Sequence, residues 1–170
     1  MRDHSRGETI RESSEAAKLS LNVTSGVYSF RPDVVECSSR QEMERFVSAR
    51  NALPEHLRGF VFLYSIEEYM RAGARLFLTR DGLGGVAVIN GELASLFSLP
   101  GSYYGDLLVC HAVTHGAHKL SCFDTQGKLP SLYERHGFEE VFRAAWDDTF
   151  APSNWSYERW GRPDYVEMRR

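Results

Sequence analysis

Residues 91–141, GELASLFSLPGSYYGDLLVCHAVTHGAHKLSCFDTQGKLPSLYERHGFEEV, constrain the fold more than any other stretch. The pattern reads strand, glycine-bearing turn, helix, strand, short helix, strand. A helix lying between two strands requires a crossover, so the strands over residues 92–98 and 119–123 are expected to run parallel. Asn90-Gly91, just ahead of the first strand, is among the strongest hairpin signals, and Asp81-Gly82 is another. They divide residues 75–98 into three antiparallel strands. One parallel pair joined to an antiparallel meander gives a mixed sheet.

The flanking segments fit around that sheet. Residues 1–25 are polar and carry few large apolar side chains, so they bury too little surface to offset their ordering entropy. They read as an arm, weakly ordered or offering a partner-binding helix, ahead of a single domain over residues 26–170. Residues 27–30 and 34–37 look like one strand interrupted at Pro32. Ser38-Ser39 offers an N-cap to a helix over residues 40–53, which Pro54 ends. After the apolar run 60–64, Ser65-x-x-Glu68 has the form of a capping box opening a short helix. Residues 146–163 are long for a loop and hold Trp155, Tyr157 and Trp160, which suggests a packed excursion. Residues 165–168 close the chain as a strand.

Bulk properties narrow the function classes. A net charge of −3 gives no bulk attraction to nucleic acid or to an anionic membrane. No segment approaches the ~20 apolar residues of a membrane span, and the N-terminus lacks the apolar core of a secretory signal. Three cysteines, Cys37, Cys110 and Cys122, with no CxxC spacing argue against a disulfide scaffold or a cysteine-built zinc site. The expected compartment is the reducing cytosol, and the expected assembly a monomer or homodimer. His111, His115 and His118 provide a helical i, i+4 pair, but Ala112 stands where a metalloprotease motif needs glutamate. No metal is expected.

The element order, together with Leu132-Tyr133-Glu134-x-x-Gly137-Phe138, resembles the GCN5-related N-acetyltransferase (GNAT) family over residues 27–168. The resemblance implies an α/β fold, a mixed, mostly antiparallel central sheet flanked by helices. It also implies acetyl-CoA as co-substrate and a small-molecule or protein amine as acceptor. By the same resemblance, Leu96, Phe97, Ser98 and Leu99 would run along the pantetheine arm. The turn Gly101, Ser102, Tyr103, Tyr104, Gly105 would hold the pyrophosphate. Two departures stand out. The family's phosphate loop usually reads Gln or Arg, two residues, Gly, one residue, Gly or Ala; here the glycines lie four apart with no matching Gln or Arg. Gln126 stands where asparagine is often found.

The chemistry can be argued from the side chains themselves. A helix N-terminus offers unpaired N–H groups and a positive dipole end, so a phosphate can bind there without basic side chains. Tyr133, a phenol of pKa ~10, can protonate a departing thiolate of pKa ~8.5 when placed beside it. The resemblance adds Glu92, opening the third meander strand at the position from which some family members use a carboxylate, as the candidate to take the amine's proton through a water. Tyr133 can equally be a packed helix residue and Glu92 an exposed strand end. Two function classes therefore stay open: an acetyl-CoA-dependent N-acetyltransferase, or a GNAT-like binding or regulatory module.

Overall fold

Serine caps start two of the early helices, and tight turns set the register of the strand meander. The computed structural model describes residues 32–170, and the expected N-terminal arm and the half-strand over residues 27–30 lie outside the described residues. The chain begins with β1 (Val34–Glu36), α1 (Arg40–Asn51), α2 (Glu55–Arg58) and α3 (Ile66–Arg71). The meander β2 (Arg75–Thr79), β3 (Gly84–Ile89) and β4 (Glu92–Ser98) follows, then α4 (Gly105–Thr114), β5 (Lys119–Phe123), α5 (Lys128–Glu134) and β6 (Glu139–Ala144). A short helix α6 (Tyr157–Trp160) precedes the last strand, β7 (Tyr165–Arg169).

Both early capping boxes form. Ser39 Oγ accepts from Glu42 N at 3.2 Å while Glu42 Oε2 accepts from Ser39 N at 2.8 Å. Ser65 and Glu68 repeat the arrangement for α3. Asn90 and Gly91 make the tight β3–β4 turn with φ of 49° and 76°, a left-handed pair that Asn and Gly tolerate best. α1 stops at Asn51, two residues before its expected end, and Pro54 caps α2 instead.

The seven strands form one sheet in the order β1-β2-β3-β4-β5-β7-β6. Every neighbouring pair is antiparallel except β4 and β5. The expected mixed, mostly antiparallel sheet is therefore present. Alternation sends Leu76 and Leu78 of β2 to one face, against Phe46 of α1 and Tyr69 of α3. Phe77, Val86 and Val88 go to the other, against Leu108, Val109 and Ala112 of α4 and Tyr133 of α5. Helices cover both faces, and the sheet is the layer between them.

Candidate active site

The site is made by a fault in strand pairing. Opposite β4, Gly85 pairs with Phe97 and Ala87 with Ala94, so Val86 alone faces both Ser95 and Leu96. This is a β-bulge, with Ser95 in the left-handed region at φ 49°. The extra residue resets the alternation. Leu93 and Leu96 face the α4–α5 side, whereas Ala94 and Phe97 face the α1–α3 side. On the other edge of β4 the parallel ladder to β5 is recorded at one pair only, Glu92 with Lys119. Beyond it the two strands part, and their facing backbone groups are left for something else to satisfy.

A buried polar chain holds the bulge. Ser95 Oγ accepts from Tyr69 Oη at 2.7 Å and donates to Phe62 O at 3.1 Å. Arg50 donates from Nη1 to Tyr69 Oη at 2.9 Å and to Tyr64 O at 2.8 Å. Arg50 is 2% exposed, and its remaining bonds go to Asn51 Oδ1 rather than to a carboxylate. Fixed neutral acceptors thus take the place of a counter-ion for a buried guanidinium. One hydroxyl chain ties α1, α3, the bulge and the loop over residues 60–64 together.

A cavity of about 810 Å³ fills the opened seam. Its lining draws on both cores, with Leu93, Leu96 and Tyr133 from one and Val61 and Ala94 from the other. The opening therefore crosses the sheet. Glu92 and Tyr133, the two candidate proton-transfer residues, both line it, and so does Leu96. Phe97 instead packs edge-on against Phe46 at 5.3 Å. Ser98, Leu99 and the turn Gly101, Ser102, Tyr103, Tyr104 and Gly105 border the strand end outside this lining. Gln126 lies in a separate depression of about 150 Å³ with Arg159 and Arg162.

Tyr133 comes from α5, packed edge-on against Phe138 at 6.2 Å. Burial holds its phenol well above the ordinary range, with the Cys122 thiol adding to the shift. No protein group among the described residues bonds its hydroxyl, and none of their fully buried side-chain polar atoms lacks a partner. The hydroxyl must then reach the cavity. Cys122 lines the same space, and burial pushes its thiol up to about 12. Any anion formed there is a strong base. The Glu92 side chain makes no hydrogen bond or ion pair among the described residues; burial raises the Tyr64 and Tyr165 phenols, with Glu92's charge adding to the first and, behind Glu167, to the second.

The turn before α4 satisfies much of its own polarity. Ser98 Oγ accepts from Tyr104 N at 3.0 Å and lies 2.7 Å from Ser102 Oγ, which also reaches Leu99 O at 2.7 Å. Gly101 takes φ 87°, where a side chain would be strained. Asp106, in the first turn of α4, pairs with Arg135 at 3.0 Å and His136 at 3.0 Å, so its carboxylate is directed to α5.

Sequence reasoning singled out neither Ser95 nor Cys122 as a site residue. A serine between alanine and leucine in an apolar strand was the only local trace, and by itself it does not mark a bulge. The resemblance implies an acceptor side built from residues 52–64 and 146–162; the cavity takes Gly59 to Leu63 from the first, and Trp146, Asp147 and Phe150 to Asn154 from the second together with Ala144 and Ala145 just before it.

No family model matches the sequence, and no curated protein matches it. Solved structures do match the fold. The chain is similar to a spermidine N-acetyltransferase from Vibrio cholerae solved with CoA and spermine, at 18% identity and TM-score 0.55, over 79% of this chain and 93% of that one. It is also similar to a ribosomal-protein-alanine N-acetyltransferase from Brucella melitensis, at 14% identity and TM-score 0.55, over 81% and 98%. An acetyltransferase from Bacillus subtilis in complex with CoA aligns at 13% identity and TM-score 0.50, over 81% and 97%. With its split β4–β5 pair and crossover helix, the chain has the fold of the GCN5-related N-acetyltransferases.

Proposed function

We propose that the protein is an acetyl-CoA-dependent N-acetyltransferase that moves an acetyl group directly to an amine. The observation that carries this reading is the seam between β4 and β5, with Glu92 and Tyr133 on one cavity. The residues present fit the co-substrate. An unpaired strand edge suits the amide groups of a pantetheine arm, because extended backbone can pair with it as another strand would. Acetyl-CoA supplies an activated acyl thioester. Two of the fold neighbours were solved with CoA.

In this mechanism Glu92 holds the incoming ammonium and receives its proton through a water, freeing the lone pair that forms the new C–N bond. As the C–S bond breaks, Tyr133 gives its proton to the departing sulfur. The raised phenol is no obstacle, because the same burial raises any thiolate in this place, as it does for Cys122. Tyr133 stays protonated through the neutral range and recovers its proton from solvent as product leaves.

Calorimetric titration with acetyl-CoA tests the binding. Tyr133→Phe is then expected to lower kcat about 100-fold or more while leaving acetyl-CoA affinity nearly unchanged. Unchanged turnover would remove Tyr133 from the acid role. A second reading, a binding or regulatory module, draws on the self-bonded turn before α4, which stands off the cavity. Absence of acetyl-CoA binding at low salt would favour that reading.

A further inference from the structure

The cavity carrying Glu92 and Tyr133 has a one-sided chemistry. No Lys, Arg or His lines it among the described residues. It offers no counter-charge to an acceptor bearing a carboxylate or phosphate. Of the lining residues two are carboxylates, Asp147 and Glu92. Asp147 is exposed at the rim, its Oδ1 accepting from Thr149 N at 2.8 Å, whereas the half-buried Glu92 side chain has no hydrogen bond or ion pair among the described residues. Nearby Asp148 is taken up by Trp146, Tyr157 and Arg162.

Rings supply much of the wall on the acceptor side. Phe123 lies 5.0 Å from Trp146 and 4.9 Å from Trp155, centroid to centroid. Trp146 Nε1 donates to Asp148, so this indole shows the cavity ring surface rather than a donor, while the buried Trp155, its Nε1 bonded to Gly161 O, backs Phe123 from behind. At the same opening three apolar side chains stand in solvent, Phe62 at 56%, Leu63 at 48% and Phe150 at 82% exposure. Grouped exposed apolar side chains of this kind mark a surface that something covers.

We infer that the acceptor is a monocationic primary amine on a bulky aromatic or apolar body, its ammonium against Glu92 and its body against Phe62, Phe123, Trp146 and Phe150. The one half-buried carboxylate pairs one ammonium, and Asp147, exposed at the rim, meets only a charge that stays in water. The further ammonium groups of a polyamine would be desolvated without partners, and so would an amino acid's carboxylate. The rings favour both the apolar body and, through their faces, the cation. The inference rests on the acetyl-transfer reading for what happens next, but the binding it asserts can be measured alone.

The experiment is an equilibrium titration of the full chain with 2-phenylethylamine, spermidine and 3-phenylpropionate, with and without coenzyme A. Binding is followed by tryptophan fluorescence and calorimetry. Phenylethylamine is expected to bind at least about tenfold more tightly than the other two. Glu92→Gln should weaken it about tenfold. Phe150→Ala, at an exposed position that leaves the fold intact, should weaken it too. Spermidine or phenylpropionate binding as tightly, no effect of Glu92→Gln, or no phenylethylamine binding at all would overturn the inference. Phenylethylamine binding without any acetylated product once acetyl-CoA is added would support this ligand class and count instead against acetyl transfer.

Discussion

Tyr133 and Cys122 sit on one cavity, and their shared burial decides how each behaves. Cys122 carries a thiol pushed up to about 12, whereas Cys110 stands exposed on α4. Thiolate is the reactive form, so iodoacetamide at pH 8 should label Cys110 first and Cys122 far more slowly. Acetyl-CoA should slow Cys122 further without touching Cys110; mass spectrometry of the labelled peptides reads both. Equal protection of the two would mean that the ligand lies elsewhere. Away from the chemistry, the Tyr69 hydroxyl accepts from Arg50 and donates to Ser95, both buried. Tyr69→Phe strands a guanidinium N–H and a serine acceptor together. Urea denaturation should show a loss of about 1–3 kcal/mol, and a loss near zero would show the chain of hydroxyls to be dispensable.

At the scale of elements, β4 does the most. Its bulge turns Ser95 toward Tyr69, and its free edge forms one wall of the seam. Gly85 borders the bulge, paired with Phe97, and a Cβ there would come within 2.8 Å of ring atoms of both Phe46 and Phe97. Gly85→Ala should therefore cost about 1–3 kcal/mol by overpacking, visible as a lower urea midpoint with an unchanged m-value. A neutral result would mean that Phe46 and Phe97 repack freely. Much of this element level was legible beforehand. Serine capping boxes, Asp-Gly and Asn-Gly turns and alternating apolar residues are local signals, and they placed α1, α3 and the meander. The bulge was not legible, because Ser95 reads as an ordinary strand residue until the pairing register of β3 is known. The seam was not legible either: whether β4 and β5 stay paired beyond Glu92 and Lys119 is decided by tertiary packing that local patterns do not encode. Tyr133 could be named from its motif, but the hydroxyl chain through Arg50 could not, because its members lie 14 to 33 residues apart in the chain.

For the whole molecule, the parted strands matter most. Helices bury both faces of the sheet, and the cavity at the seam is lined from both cores, which gives the proposed donor and acceptor separate sides from which to approach. The described residues contain no helix long and apolar enough to cross a membrane. The central claim is that the opened β4–β5 edge holds the acyl donor. Amide hydrogen exchange with and without acetyl-CoA measures that edge directly. The account predicts slowed exchange in residues 93–96 of β4 and 120–123 of β5. Protection confined to the depression around Gln126, or no protection in either strand at saturating acetyl-CoA, would contradict it.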